Sequence, residues 1–463
     1  MKTAFLNYTA LRKNADFRFD PDYAVHPLTQ GTINFKARFI PLQNTLEYIS
    51  SGHTPYLHDV SEGDIDFVTV ECIDDLNLNE TSLKHITKEQ FAQEFKKNRI
   101  VKDSVLCTIK RRICKAYPFL EAPLAPMTMN QDVAFLIPKQ SMDPAYLATY
   151  LCCKVGQLFA DRQKTEQMNP YISVANLCQV PIAVLSGVFQ KLIRSLFERS
   201  LSFNHKSSEA YKAAEINLLR ELDLLNWKPK HRLSFIKKYS DMQASSRIDA
   251  EYFQPKYEEV IERIIKYKKG YKPLAEIVKV KDKIYLPIDD AAYRYIELAN
   301  ISANGNINGI NEVLGKELPT RARRIVSAGD VIVSTIEGSL SSIALITKEL
   351  DNALCSTGFF VIHSERFNSE TLLVLLKSPV GQLQLKKGCS GTILTAISDD
   401  EFKRIVLPDL PAGIQNDIKK HITEMYETKV LSKRLLNIAK RGVEMAIEKN
   451  EAEAQKWIAA TIN

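Results

Sequence analysis

The tetrapeptide Val155-Gly156-Gln157-Leu158 returns 225 positions later (155 to 380) as Val380-Gly381-Gln382-Leu383, and Arg99-Ile100-Val101 returns in the same register as Arg324-Ile325-Val326. Phe135, Ser173 and Leu177 align in that register with Phe360, Ser398 and Phe402. Two identical runs held in one register mark a duplicated domain. The entry to each copy also matches, Arg18-Phe19-Asp20-Pro21-Asp22-Tyr23 against Arg247-Ile248-Asp249-Ala250-Glu251-Tyr252. With two copies the chain is a pseudo-dimer in one polypeptide, not a solenoid.

A long helical stretch follows each copy. Residues 187–227 contain no proline and no glycine after Gly187, and Leu192, Leu196, Ala210, Ala214, Leu218, Leu222 and Leu225 recur at helical spacing. This reads as one helix, with 202–208 as the place for any interruption. Residues 414–457 have the same character, with Ile414, Ile418, Ile422 and Met425, then Leu431, Leu435 and Ile438, as an apolar seam. The expected organisation is a first α/β unit with an N-terminal arm (1–186), a central long helix (187–228), a linker with a second α/β unit (229–409), and a C-terminal long helix (410–463).

The chain has 463 residues, 45% hydrophobic and 25% charged, enough for two cores of about 150 residues each beside long helices. No signal-peptide pattern opens it and no run approaches the roughly 20 apolar residues of a membrane span, so a cytoplasmic location is expected. Cys72, Cys107, Cys114, Cys152, Cys153, Cys178, Cys355 and Cys389 lack paired metal spacing and read as reduced core thiols. His53, His58 and Asp59 lie in a polar loop without a fourth ligand, so no metal is assigned.

The net charge of +7 is a mild signal, but its placement is informative. Cations cluster at Lys96, Lys97 and Arg99, at Lys110, Arg111, Arg112 and Lys115, and at Arg162 and Lys164 in the first copy. The second has Arg321, Arg323 and Arg324, then Lys386 and Lys387. These are candidate contacts to nucleic acid, against the plainer reading of a solvated face. Thr108-Ile109-Lys110-Arg111-Arg112 aligns with Thr335-Ile336-Glu337-Gly338-Ser339, so a strand ends in a basic loop in one copy and an acidic, glycine-containing loop in the other. Guanidinium groups there suit phosphates or guanine edges, while simple solubilisation of a hairpin stays open.

Local patterns predict strands at 65–73, 105–109, 133–137 and 358–362, and helices at 88–97, 143–159 and 369–385. Gly156 and Gly381 are read as points of close packing. Ser173 and Ser398 are read as helix caps, Ser398 with Glu401 at capping-box spacing.

The chain resembles the specificity subunit of Type I restriction-modification systems. The resemblance rests on Gly329-Asp330-Val331-Ile332-Val333-Ser334-Thr335, the Gly391-Thr392 loop, and Leu407-Pro408-Asp409-Leu410-Pro411 running through Gln415 into a long helix. The Arg-x-Asp-x-(Asp/Glu)-Tyr entry is similar too. The first copy departs from the pattern, with Lys102-Asp103-Ser104 and Val180-Pro181-Ile182 at the corresponding places.

The resemblance implies a non-catalytic subunit with two α/β target recognition domains. Each would read half of a split duplex DNA sequence, and the long helices would pack as an antiparallel coiled coil about an internal pseudo-twofold. About 40 helical residues at roughly 1.5 Å each would space the heads by about 60 Å. Leu192, Leu196, Leu218, Leu222, Ile414, Ile418, Ile422 and Leu435 would form that pairing. Two modification (methyltransferase) subunits would dock on it, with restriction or translocase subunits as further partners. S-adenosylmethionine, ATP and Mg would belong to those partners and not to this chain.

Enzyme motifs are eroded or missing. Asn169-Pro170-Tyr171 lacks one proline of a base-flipping methyltransferase loop, Glu401-Phe402-Lys403 matches a nuclease motif only superficially, and no phosphate-binding loop is present. Two other readings stay open: a protein-binding assembly scaffold, and a divergent DNA methyltransferase or nuclease.

Overall fold

The computed structural model describes residues 21–29, 35, 37–55, 63–95, 98–165, 169–302, 304–310, 312–391 and 395–462. The chain divides into two compact units, one of residues 1–204 with 430–463 and one of residues 205–429.

Each unit is built on a four-stranded antiparallel sheet. In the first the order is Leu46–Ser51, Val133–Pro138, Ser104–Thr108, Ala116–Phe119, and in the second Lys279–Val280, Phe359–His363, Val331–Ser334, Ile343–Leu345. The central strands are buried on both faces, which explains their unbroken apolar runs. In Ser104–Thr108, Val105 and Cys107 face a helical core while Leu106 faces a smaller core shared with Val68, Met127 and Met129. In Val331–Ser334, Val331 and Val333 face the helical core and Ile332 the smaller one.

That smaller core is closed by a second sheet containing a parallel pair, Ile65–Val68 with Met127–Met129 in one unit and Ala292–Ile296 with Leu354–Ser356 in the other. A two-stranded ribbon then joins the ends of each copy, Phe39–Pro41 with Pro181–Ala183 and Tyr271–Pro273 with Val406–Pro408. The duplication read from the sequence is therefore present in the four-stranded sheet, the parallel pair and the ribbon of each copy, while the second sheet has three strands in the first unit and four in the second. The expected strand at 65–73 is shorter, ending at Val68 and giving way to a 3-10 turn, Val70–Cys72.

The helices expected at 143–159 and 369–385 are each two helices. Pro144–Cys152 breaks at Cys153 before Lys154–Gln163, and Ser369–Lys377 breaks at Ser378 before Pro379–Gly388. Gly156 and Gly381 sit in the first turn after each break. A Cβ on Gly156 would lie 2.0 Å from the Tyr150 carbonyl oxygen, and one on Gly381 2.4 Å from Leu376 Cα. The glutamine that follows clamps the break identically in both units. Gln157 Nε2 donates to the Leu151 and Cys114 carbonyls at 2.7 and 3.0 Å, and Gln382 Nε2 to those of Leu376 and Leu340 at 2.9 and 3.1 Å.

A second clamp joins each hairpin to its long helix. Gln415 Oε1 accepts from the Asn368 amide at 3.1 Å while its Nε2 donates to the Leu410 carbonyl at 3.0 Å. Gln190 repeats this at the same 225-residue spacing (190 to 415), with the Asp143 amide at 2.8 Å and the Leu185 carbonyl at 3.0 Å.

The first long helix is uninterrupted over Gly187–Glu221 and stops short of the expected Trp227. Asp223 takes φ 53°, and the Leu224 amide turns back to the Leu219 carbonyl, a left-handed C-terminal turn made without glycine. Leu225 is consequently exposed. The expected single C-terminal helix is two, Ala412–Glu448 and Glu451–Ile462. Asn450 restarts it, its Oδ1 accepting from the Glu453 amide at 2.9 Å.

In the first unit Leu196 and Leu435 are buried and Leu192 partly so; Ser200 meets Ser432 at 2.9 Å, and Ile193 lies against Gly442, so the helices run antiparallel there. In the second unit Leu218, Leu222, Ile418, Ile422 and Met425 are buried, Ile414 is partly buried, and Ser207 donates to the Met425 carbonyl at 2.9 Å. Leu431, read as part of the seam, is exposed, because the buried face passes through Thr428 and Ser432 instead.

Candidate nucleic-acid interface

Strand Ser104–Thr108, fixed between two neighbours, delivers the basic loop 109–115 of the first unit. Ile109, Ile113 and Cys114 point into the core and anchor the loop. Its path is set by positive φ at Arg111 (62°) and Cys114 (54°). The Arg111 amide donates to the Pro170 carbonyl and the Cys114 amide to that of Thr108, both at 2.8 Å, and the Thr108 hydroxyl donates to the Arg112 carbonyl. The side chains of Arg111 and Arg112 remain 61% and 51% exposed.

Every cation of this loop faces a carboxylate. Arg111 Nη1 lies 2.8 Å from Glu71, Arg112 Nη1 3.6 Å from Asp74, Lys115 3.6 Å from Asp75 and Lys110 3.5 Å from Asp132. Asp75 is shared with Lys440 of the second long helix at 2.5 Å. Partial burial raises the Glu71 carboxyl pKa, but hydrogen bonds from Thr69 and its own backbone, with the attraction of Arg111, outweigh it and leave that pKa below the ordinary value. The loop that reads as strongly basic in sequence thus has most of its charge offset locally.

Arg162 and Lys387, at equivalent positions of the two copies, make the same contact. The Arg162 guanidinium lies 5.3 Å from the Tyr23 ring centre and donates to Tyr23 Oη and Thr29 Oγ1 at 3.1 Å. Lys387 Nζ lies 4.9 Å from the Tyr252 ring centre, with Arg247 at 4.4 Å from the same ring. Burial lowers the Lys387 pKa. Arg247 also binds Asp249 at 2.7 Å and the Cys389 carbonyl at 2.9 Å, so the entry motif of the second copy is a clasp closing the unit. Lys164 pairs with Asp161 at 3.1 Å. Arg18, Phe19, Asp20, Lys96, Lys97, His58, Asp59 and Thr392 lie outside the described residues.

Arg324 is a structural residue, its Nη1 donating to the Phe359 carbonyl and its Nε buried. Arg323 Nε donates to the Thr320 carbonyl at 2.9 Å. Arg321 and Lys386 are exposed, with no side-chain ion pair or hydrogen bond among the described residues. The Gly329-Asp330 turn is also structural: Gly329 takes φ 88°, and the buried Asp330 carboxylate meets Lys281 at 2.7 Å, His363 at 3.5 Å and the Ser327 amide at 2.8 Å.

One feature escaped sequence reasoning. Ile284, Leu286 and Ile288 form an exposed apolar rib in a segment without regular structure. Tyr285 and Tyr293 brace it, their hydroxyls 3.0 Å apart, and the Tyr285 amide donates to the Arg323 carbonyl at 2.7 Å. The alternation was visible, but it reads as a half-buried strand.

The would-be catalytic motifs are occupied structurally. Pro170 accepts from Arg111, and Tyr171 bridges Lys110 and Thr165. Phe402 is buried and stacks on Phe360 at 4.1 Å, while Lys403 pairs with Asp399 and Glu401 with Arg404. Seven of the cysteines are buried free thiols and Cys178 is half-buried. His53 pairs with Glu94 at 3.1 Å. Among the described residues no helix is long and apolar enough to cross a membrane.

No family model and no curated protein matches this chain. Among solved structures it is similar to a Type I restriction-modification S subunit from M. genitalium, at 12% identity over 90% of this chain and 96% of that one, with a TM-score of 0.34. It is also similar to the HsdS subunit from Thermoanaerobacter tengcongensis, at 12% identity over 92% and 95% of the two chains and a TM-score of 0.28. A third, from work on complex assembly and conformational transition of the type I R-M system, has 11% identity over 93% and 98%, with a TM-score of 0.27.

Proposed function

We propose that the chain is a non-catalytic specificity subunit of a Type I restriction-modification complex, in which each α/β unit reads one half of a split duplex sequence. The observation that carries this reading is the contrast between a conserved frame and unlike rims. Both units keep the same four-stranded sheet, the same parallel pair and ribbon, and the same Gly-Gln and helix-entry clamps. Their exposed edges differ, an ion-paired arginine loop in one and an apolar rib tied to the Arg323 carbonyl in the other. One frame with two rims suits two different base sequences. The long helices would hold the heads apart and dock two modification subunits, whose S-adenosylmethionine supplies the methyl group; ATP and Mg would serve restriction or translocase subunits. This would take place in the cytoplasm.

A protein-binding scaffold is the second reading, favoured by one observation. In the segment joining the long helix to the second unit, Leu233 and Ile236 are 98% and 97% exposed between lysines and arginines.

The deciding measurement is base-resolution mapping of N6-methyladenine in host DNA with the chain present, deleted, or carrying residues 247–408 of a relative. The expected result is a split motif that vanishes on deletion and changes in one half on exchange. Unchanged methylation would overturn the DNA-reading function and favour the scaffold.

A further inference from the structure

Surface ion pairs contribute little to stability, so four of them on one loop call for another account. The acidic partners also work against the simplest role for the loop. A cluster of lysines and arginines attracts phosphates through its net charge. Here Glu71, Asp74, Asp75 and Asp132 offset most of that charge, Asp75 serving Lys440 as well, and would repel a phosphodiester backbone.

What survives the cancellation is geometry. Arg111 donates through Nη1 to Glu71 at 2.8 Å, and its remaining N–H groups stay available on a guanidinium more than half exposed, whereas Arg112 stands 3.6 Å from Asp74, a charge contact without a hydrogen bond. The backbone beneath is locked by left-handed residues and by hydrogen bonds to Pro170 and Thr108. A planar donor fork held at fixed orientation matches the paired acceptors O6 and N7 of guanine in the major groove.

Resting on the DNA-reading function proposed above, we infer that Arg111 is a guanine-reading side chain preset by Glu71, and not a phosphate clamp. Glu71 is then a positioning residue for specificity. It lowers total affinity through its charge and raises discrimination by fixing Arg111.

The test is selection of the full-length chain on a randomised duplex library, followed by affinity measurements across a salt series. Wild type is compared with Arg111→Ala, Glu71→Gln and Glu71→Asp. These side chains lie on the surface, so the fold is retained. The expected result is a split motif with a guanine in one half, whose preference is lost in Arg111→Ala. In Glu71→Gln that preference falls about tenfold while binding to other sequences holds or strengthens. Glu71→Asp recovers part of the preference. If Arg111→Ala weakens all sequences alike and lowers the salt slope by about one phosphate, the arginine is a phosphate clamp and the inference fails. It fails equally if Glu71→Gln leaves the guanine preference intact. A wild-type chain that enriches no sequence would instead overturn the DNA-reading function itself.

Discussion

Two helical glycines face opposite surroundings, and alanine should act on them with opposite sign. In the interior of a helix, alanine is favoured over glycine by about 1 kcal/mol. Gly413, in the first turn of Ala412–Glu448, has nothing within 4 Å of an added Cβ, so Gly413→Ala should stabilise by up to about that amount. Gly156 is different because its obstacles are all backbone: the Tyr150 carbonyl oxygen at 2.0 Å, its carbon at 2.9 Å and Leu151 Cα at 3.0 Å. None of these can move without separating helices whose neighbours Val155, Phe159 and Ala160 are buried. Forcing a methyl group into a packed core costs typically 1–3 kcal/mol, and a rigid backbone obstacle places the cost at or above the upper end. After the propensity gain, Gly156→Ala should lose roughly 2 kcal/mol, or about 4–8 °C in melting temperature for a unit of this size. Calorimetry of the full chain gives the melting shift, and amide exchange at Leu106 and Ile332 assigns it to a unit. Leu106 should lose protection and Ile332 should not. A Gly156→Ala chain as stable as wild type would refute the close-approach reasoning and leave the repeated glycine unexplained.

The remaining predictions concern buried polar groups. Gln190→Leu should strand the Asp143 amide and the Leu185 carbonyl, each at a cost of about 1–3 kcal/mol, and lower the urea midpoint of the first unit. An unchanged midpoint would mean that solvent reaches both groups. Lys377, whose Nζ donates to the Ser341 carbonyl at 2.6 Å, is lowered by burial to about 7, with Glu215 opposing the shift. Between about 7 and the ordinary lysine value of 10.5 the unfolded chain holds a proton that the folded one releases. Stability of the second unit should therefore rise with pH across that window, and Lys377→Met should remove the rise in pH-dependent melting. A slope unaffected by Lys377→Met would assign it to another group.

The duplication was legible because a few residues doing backbone work were kept in one register. Gly156 and Gly381 admit a close approach that no Cβ allows, and Gln157 and Gln382 complete it. The helix breaks at Cys153 and Ser378 were less legible, since the apolar period runs across them; only Pro379, at a first helical position, announced a start. The end of the first long helix was hidden for a related reason: Asp223 adopts the left-handed turn usually signalled by glycine. The carboxylates of the arginine loop were invisible to a linear reading. Glu71, Asp74 and Asp75 reach Arg111, Arg112 and Lys115 only after the sheets bring distant segments together. Charge runs overstate local potential wherever folding supplies the counter-charge.

Arg162 and Lys387 carry that argument further. Both belong to cationic clusters repeated in the two copies and offered in sequence as contacts to nucleic acid. Instead each stacks on the tyrosine of its own entry segment, Tyr23 or Tyr252, and so holds that segment against the unit. Repetition is what a scaffold duty predicts, because both copies must close in the same way. Recognition of two different half-sites predicts the reverse, that contact residues differ between the copies. By that criterion Arg111 and Arg112, and the Ile284, Leu286 and Ile288 rib, are the stronger candidates for reading bases. Each lies in a segment the other copy does not reproduce, the first mounted on a buried strand and the second on a half-buried tyrosine brace.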